Sequence, residues 1–336
     1  MIVSLLRASC LALCFALCTI THAAEPLPAL GASAENLTVS GLSSGGFMAV
    51  QFHVAHSALV RGAGILAGGP YYCAKGSMTR AVTSCMSPNF LMPVPKAADL
   101  RAEVDKQAAA HRIEDPAHLR NSRVWILSGG KDTTVDRAVV EQTDAFYRLW
   151  LPESAIVYER LPGAGHAMIA PQAADGGVCA VTAPPYINRC GEFDAPARLL
   201  DHLLGKPSGA GASGGEGELL SFAQRDFAGS DAGMGGLGYV YIPTGCRNGG
   251  CSIHVALHGC KQNIETIGET YVRESGYQHW AQVRRLIVLY PQTANSGKNP
   301  NGCWDWWGYT GDNYHTREAP QIKAIRAMID RLLTKP

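Results

Sequence analysis

A serine flanked by glycines is the first feature of this sequence that could do chemistry. Residues 41–45 read Gly-Leu-Ser-Ser-Gly, directly after a short strand-like segment and before an apolar stretch that begins at Phe47. Small flanking residues allow a strand to turn sharply into a helix with the serine at the turn. The N–H groups of that helix would point towards an anion forming beside Ser43. The pattern predicts a nucleophilic Ser43, and an ordinary Gly/Ser turn is the alternative.

An aspartate and a histidine follow Ser43 along the chain, each in a loop just after a predicted strand. They are Asp132 and His166. In open parallel sheets the residues that face a ligand lie at the carboxyl ends of the strands. A histidine would take the proton of the serine, and a carboxylate would fix the tautomer of the imidazole. We therefore predict the catalytic triad Ser43, Asp132 and His166, with Asp136 as the less favoured acid.

Apolar runs of strand length alternate with helical segments, which is typical of an α/β protein with a mostly parallel central sheet flanked by helices. Beyond the strand before Ser43, predicted strands cover 64–66, 124–128, 155–159, 239–243, 253–257 and 286–290. Predicted helices cover the segment after Ser43 and 97–111, 271–285 and 319–333. Residues 206–218 are rich in glycine and serine and predict a flexible connector.

The early position of Ser43 predicts an unusual chain order. An α/β-hydrolase sheet has several strands before its nucleophile, including the strand whose loop builds the oxyanion hole. Here those strands, with a His-Gly-Cys loop at 258–260, come after the connector. We therefore predict a circularly permuted α/β-hydrolase fold, with one domain over 25–336. The connector 206–218 would join the former termini, and the helix 319–333 would lie where the helix before the nucleophile strand normally does.

The oxyanion hole is predicted from the same loop. Its donors would be the backbone N–H groups of Ser44, which follows the nucleophile, and of Cys260. His258 is expected to be structural, because His166 already supplies the acid–base group.

The first 24 residues predict a cleaved secretory signal peptide. Arg7 precedes an apolar run, 10–20, that is too short to span a bilayer, and small residues near Ala24 offer a cleavage site. A lipoprotein anchor at Cys10 is a weaker alternative. With 29 basic and 28 acidic residues, the net charge of +1 favours neither nucleic acid nor an anionic membrane as a partner. We expect a secreted monomer, extracellular or periplasmic, with no membrane association after cleavage.

Eight cysteines lie beyond the signal segment, an even number that indicates disulfides in an exported chain. Pairing neighbours along the chain would close short loops in the first three cases, although the sequence does not fix the connectivity. A zinc site is the alternative, but no Cys-x-x-Cys pair is present, and we predict no metal and no cofactor. The candidates are Cys73, Cys85, Cys179, Cys190, Cys246, Cys251, Cys260 and Cys303.

Three motifs together resemble the extracellular poly(3-hydroxybutyrate) depolymerases. They are Gly-Leu-Ser-Ser-Gly-Gly at 41–46, His-Gly-Cys-Lys-Gln at 258–262 and Asn-Gly-Cys-Trp-Asp-Trp-Trp at 301–307. The late position of the second motif is similar to the permuted, type II catalytic domain of that family. The resemblance implies the same triad and oxyanion donors as above. It also implies that Trp306 and Trp307 form a wall of the substrate crevice, whereas Trp304 is expected to be a core residue.

The resemblance implies a serine esterase that hydrolyses poly(3-hydroxybutyrate) or related short-chain polyesters and oligomers through an acyl-enzyme. Many family members carry a separate substrate-binding domain after the catalytic part, and we expect none here because the sequence stops at Pro336. Two alternatives remain. One is an esterase of feruloyl or acetyl-xylan groups, whose relatives carry similar motifs in unpermuted order. The other is a non-catalytic, esterase-like binding protein.

Overall fold

A computed structural model describes residues 24–207 and 217–336. The predicted signal peptide, except Ala24, and most of the predicted connector lie outside the described residues. The strands are β1 (Ser33–Leu42), β2 (Gly62–Leu66), β3 (Arg123–Gly129), β4 (Ile156–Leu161), β5 (Met168–Ile169), β6 (Gly177–Val178), β7 (Ile187–Arg189), β8 (Glu218–Ala223), β9 (Leu237–Ile242), β10 (Ser252–Leu257) and β11 (Leu286–Tyr290).

The helices fall between these strands. They are α1 (Ser44–Ala55), α2 (Met78–Val82), α3 (Ala97–Ala109), α4 (Arg137–Tyr147), α5 (Ala195–Leu204), α6 (Ile264–Ile267), α7 (Thr270–Glu274), α8 (Tyr277–Arg284) and α9 (Pro320–Leu333). Short 3₁₀ turns occur at Pro116–Asn121, Glu153–Ala155 and Gln224–Asp226.

In the described parts of the chain, eight strands form one sheet in the order β4-β3-β2-β1-β10-β11-β9-β8. Strand β1 pairs in parallel with β2 on one side and with β10 on the other. Two pairings in this sheet are antiparallel, that of β9 with β11 and that of β9 with the edge strand β8. The strands that precede the nucleophile in an unpermuted hydrolase thus come last in the chain. The predicted circularly permuted α/β-hydrolase fold is confirmed.

Strand β1 and helix α1 form the centre of the fold. All residues of β1 from Leu37 onward are buried, and the hydroxyls of Thr38 and Ser40 hydrogen-bond His254 of the neighbouring strand β10. Helix α1 has no polar face, and every one of its twelve residues is buried. The helix therefore packs against protein on all sides, which fixes its N-terminus relative to the sheet.

The segment that leads into β1 lies against the end of α9. Backbone N–H groups of Leu30 and Ala32 donate to Leu332 O, at 3.3 and 3.0 Å, and Gly31 donates to Thr334 O at 2.7 Å. The C-terminal end of the last helix, α9, therefore lies next to the segment that precedes β1. None of the helices in the described ranges is long and apolar enough to cross a membrane.

Several elements differ from the sequence prediction. The single helix predicted over 271–285 is two helices, α7 and α8, because Gly276 between them adopts a φ of 89°. The segment after Cys73, for which no helix was predicted, contains the short helix α2. Strand β8 begins inside the predicted connector, at Glu218. Helices α4 and α5 and the small sheet β5-β7-β6 were not predicted.

Candidate active site

Ser43 lies at the sharp turn between β1 and α1, as the sequence predicts. Its φ of 56° and ψ of −120° are rare for a non-glycine residue, so this backbone is held by its surroundings. The two glycines of the motif permit that turn. A Cβ on Gly41 would lie 2.3 Å from the Gly45 carbonyl, and a Cβ on Gly45 would lie 2.3 Å from Leu257 O. The close approach also brings the start of α1 to the end of β10.

Asp132 and His166 form a hydrogen-bonded pair, with 2.7 Å between Asp132 Oδ2 and His166 Nδ1. The other carboxylate oxygen accepts backbone N–H groups from Thr134 and Val135, at 2.8 and 2.9 Å. These bonds hold the carboxylate in place and orient the imidazole with Nε2 free to face the crevice. The rival acid Asp136 instead caps α4 by accepting from Ala138 N at 2.7 Å.

Ser43 and His166 meet in one pocket of about 290 Å³. Among the described residues no hydrogen bond joins the two side chains. In enzymes without substrate such bonds are often long, and they shorten when the substrate binds. The backbone N–H of His166 donates to Thr182 Oγ1 at 2.9 Å, so the histidine loop is itself anchored.

The two predicted oxyanion donors have no competing acceptor. Within the described chain, the backbone N–H groups of Ser44 and Cys260 donate to no protein atom. Cys260 lies in the pocket wall and is bridged to Cys303, which lines the same pocket. Free N–H groups at a helix start and in a neighbouring loop are what an oxyanion hole requires.

His258 has a structural position beneath this loop. Its Nδ1 donates to Gly259 O at 2.7 Å, and its Nε2 accepts from Thr293 N at 3.3 Å. The ring is fully buried, and this burial lowers the pKa of His258 to about 4. A neutral imidazole with both nitrogens occupied inside the protein has no proton to exchange with a substrate.

The three tryptophans of the last motif have different positions. Trp304 is fully buried against the His258 ring, in agreement with the prediction of a core role. Trp306 and Trp307 line the pocket while exposing only 5% and 8% of their surface. Trp306 stacks on Phe47 of α1 at 4.0 Å between ring centroids. Among the described residues its buried indole N–H has no hydrogen-bond partner. Both tryptophans thus pack in the core and also line the pocket.

No family model matches the sequence. A poly(3-hydroxybutyrate) depolymerase from Delftia acidovorans is 40% identical over 334 residues, 97% of this chain and 66% of the relative. A polyhydroxybutyrate depolymerase from Talaromyces funiculosus is 34% identical over 327 residues, 93% of this chain and 94% of the relative. The chain belongs to the polyhydroxybutyrate depolymerase family.

Solved structures agree with this assignment. The crystal structure of a PHB depolymerase from Penicillium funiculosum matches with a TM-score of 0.83 at 33% identity, over 92% of this chain and 98% of that one. A serine-to-alanine variant of a PHB depolymerase, complexed with an R3HB trimer, matches with the same score at 32% identity and the same coverage.

Asp305, which organises the aromatic loop, was not identified from the sequence. The Asp305 carboxylate accepts five hydrogen bonds, from four backbone N–H groups over 307–310 and from Thr310 Oγ1. Burial raises the pKa of Asp305 above its usual value, and these hydrogen bonds oppose the rise only in part. Gln51 of α1 donates to Asp305 O at 2.9 Å. Asp305 therefore shapes the aromatic loop and ties it to the nucleophile helix. In the sequence, an aspartate three residues before a glycine, Asp305 and Gly308, was the available signal for a turn held by a side-chain carboxylate.

A second missed feature of this family member is a partly exposed apolar portion of the pocket lining. Met78 and Val82 of α2 form it together with Met86, and the first two keep 55% and 44% of their surface exposed. The Cys73–Cys85 disulfide closes the segment that carries α2. The spacing of Met78 and Val82, four residues apart, was the sequence signal for a short apolar helix face.

All eight candidate cysteines are paired, with neighbours along the chain bridged in each case. In the described ranges no cluster of three or more His, Cys, Asp or Glu is arranged to hold a metal ion. Both ring nitrogens of His53 are occupied by hydrogen bonds and are not available to a metal ion. His53 bonds Tyr147 and Ser122, each at 3.0 Å.

Proposed function

We propose that this protein is a serine esterase that hydrolyses poly(3-hydroxybutyrate) or related short-chain hydroxyalkanoate polyesters and oligomers. The observation that carries the proposal is one pocket that combines Ser43 on its strained turn, the hydrogen-bonded Asp132–His166 pair and the unoccupied N–H of Cys260. Relatives over most of the chain are named for this depolymerase activity.

The proposed mechanism proceeds in two halves. Ser43 Oγ attacks the ester carbonyl while His166 Nε2 takes its proton, and Asp132 stabilises the imidazolium. The Ser44 and Cys260 N–H groups bind the oxyanion. The tetrahedral intermediate expels the alcohol, which receives the proton from His166, and leaves an acyl-enzyme on Ser43. A water then attacks that ester with His166 again as base, which releases the acid and restores the Ser43 hydroxyl.

The shape and lining of the pocket support a polyester substrate. Phe47, Trp306 and Trp307 give it flat apolar faces, and Met78 and Val82 add aliphatic surface to the lining. Ester units that carry methyl groups fit apolar walls with a few polar groups at the reacting end. A solved relative in this family binds an R3HB trimer, which supports a crevice that holds several units.

We also infer that the protein acts outside the cytoplasm as a monomer, extracellular or periplasmic, after removal of 1–24, with no membrane, nucleic acid, metal or cofactor partner. Four disulfides support an oxidising compartment. We propose that residues 25–336 act as one catalytic domain, because strands from both sides of the connector share one sheet.

Product analysis tests the proposed substrate. The purified protein is incubated in parallel with amorphous poly(3-hydroxybutyrate), the crystalline polymer and feruloyl esters, with Ser43→Ala as the blank. Release of hydroxybutyrate monomers and short oligomers from the amorphous polymer is the expected result. Preferential release of ferulate would favour the plant-wall esterase. No release from any ester would favour a non-catalytic binding protein.

A further inference from the structure

The peptide group between Gly259 and Cys260 is held on the side opposite to the proposed oxyanion donor. The Gly259 carbonyl accepts from His258 Nδ1 at 2.7 Å and from Gln262 N at 3.3 Å. In a planar trans peptide the carbonyl and the following N–H point in opposite directions. Fixing the Gly259 carbonyl therefore fixes the direction in which the Cys260 N–H points.

The side chain of Gln262 holds the same glycine from its other side. Gly259 N donates to Gln262 Oε1 at 2.7 Å. The orientation of this amide is unambiguous, because its nitrogen donates to the carbonyls of Pro185 and Tyr186, at 2.9 and 3.1 Å. An amide turned the other way would place its oxygen against two carbonyls.

Those two carbonyls belong to the segment that supports the histidine loop. Tyr186 O also accepts from Met168 N at 2.8 Å, and Met168 stands two residues after His166. Gln262 is 99% buried, with 1% of its surface exposed, so water would not replace these bonds if they were lost. One amide thus spans from the oxyanion loop to the backbone beside the catalytic histidine.

We propose that Gln262 is a positioning residue that keeps the Cys260 N–H and His166 at the separation that a single ester group requires. This inference rests on the proposed function of the same site. Gln262 acts through Cys260 and His166. Its effect is therefore expected on the rate of the chemical steps, with little effect on the binding of a small ester.

The first test replaces the amide by an apolar group of similar length. Gln262→Met removes the partner of the Gly259 N–H and of the Pro185 carbonyl, and it leaves the Tyr186 carbonyl with Met168 N alone. We expect kcat for a short p-nitrophenyl ester to fall at least tenfold. KM should stay within about twofold. Loss of an oxyanion donor itself costs roughly 10²–10³ in kcat, so displacement of the Cys260 N–H is expected to cost somewhat less.

Gln224 provides a matched control. It is also fully buried, donates to the carbonyls of Gly235 and Gln292 and accepts from Gln292 N, all at 2.9 Å. It lies after the edge strand β8, away from the pocket. Gln224→Met should lower the melting temperature while kcat per folded molecule stays within twofold. If Gln262→Met loses no more kcat than Gln224→Met, the inference is wrong.

The second test uses a pH profile and applies even if Gln262→Met does not fold. In Gln262→Glu the new carboxyl still accepts from Gly259 N, but as a carboxylate it repels the carbonyls of Pro185 and Tyr186. Burial beside carbonyls raises the pKa of a carboxyl group, and the protonated form donates one hydrogen bond again. The ratio of variant to parent kcat should therefore rise about three- to tenfold from pH 8 to pH 6.

A flat ratio would show that the donor function of this amide is irrelevant to catalysis and would overturn the inference. A parent protein that hydrolyses no ester would instead overturn the proposed function, so the two failures are distinguishable.

Discussion

The two sides of the crevice are built in opposite ways. On the catalytic side, formed by Ser43, His166 and the loop 258–262, the side chains of His166, His258 and Gln262 are buried and held by hydrogen bonds. On the α2 side, formed by Met78, Val82 and Met86, the lining is apolar and partly exposed. Charge stabilisation depends on direction and needs fixed donors, whereas apolar contact depends mainly on area. We therefore expect the catalytic side to determine the rate of the reaction and the α2 side to contribute mainly to binding of the substrate.

Removing the nucleophile should have the largest effect and should not distinguish between substrates. Ser43→Ala is expected to reduce hydrolysis of both polymer and p-nitrophenyl ester by several orders of magnitude, on the order of 10⁵–10⁶ in kcat. The melting temperature should change by only a few degrees, because a hydroxyl at a pocket surface is removed. Retention of more than a few per cent of activity would refute the role of Ser43.

Replacing the predicted acid of the triad, Asp132, should have the second largest effect on kcat. Asp132→Asn should reduce kcat by roughly 10³–10⁴, because the amide favours the wrong tautomer of His166. Asp136→Ala is the matched control. It removes the cap of α4 and should cost about 1 kcal/mol of stability with kcat unchanged. The opposite ranking of the two variants in a kcat assay would assign the acid to Asp136.

Substitutions of Trp306 and Trp307 test whether these side chains contact an extended substrate. Trp307→Ala should reduce polymer hydrolysis roughly ten- to a hundredfold more than hydrolysis of a short ester, since an apolar wall contributes ~1–3 kcal/mol along an extended substrate. Trp306→Ala should in addition lower the melting temperature, because its ring stacks on Phe47. Equal losses on both substrates would leave Trp307 with only a core role.

Acid should lower the unfolding free energy of the protein, because His53, His254 and His258 are fully buried. Burial lowers the pKa of His258 to about 4, and those of His53 and His254 to about 3, from 6.5. The unfolded chain therefore binds protons first as the pH falls below 6.5, and stability is lost between 6.5 and the folded values. From pH 7 to pH 5 each histidine should lower the unfolding free energy by at most ~2 kcal/mol. Urea denaturation at both pH values measures this, and equal values would contradict it.

The smallest effect is expected on the α2 side. Replacing Met78 and Val82 together by serine should lower polymer hydrolysis about three- to tenfold, with the p-nitrophenyl ester rate and the melting temperature unchanged. Both side chains are largely exposed, so little core packing is lost. Val178→Ser, which alters another exposed valine outside the pocket lining, is the control and should change neither rate. A double variant as active as the parent would remove the α2 side from the proposed crevice.

The permuted sheet, the elbow and the Asp132–His166 pair were predictable because each follows from local patterns. Strand runs, a Gly-x-Ser-x-Gly turn and polar residues after strands all have short-range signatures. The bonds of Gln262 to Tyr186 and of Gln51 to Asp305 had none, because they join residues 76 and 254 positions apart. The exposed α2 side was equally unpredictable, since a short helix with two apolar residues is as easily buried as exposed.

The pairing of β1 with β10 also affects how the chain folds. Thr38 and His254 face each other across these strands although 216 positions separate them in the sequence. During synthesis β1, β2, β3 and β4 emerge together, but the other edge of β1 stays without its partner until β10 has been made. Such an open apolar edge pairs readily with other chains. Slow folding is therefore expected from the same strand order that places β1 at the centre of the sheet.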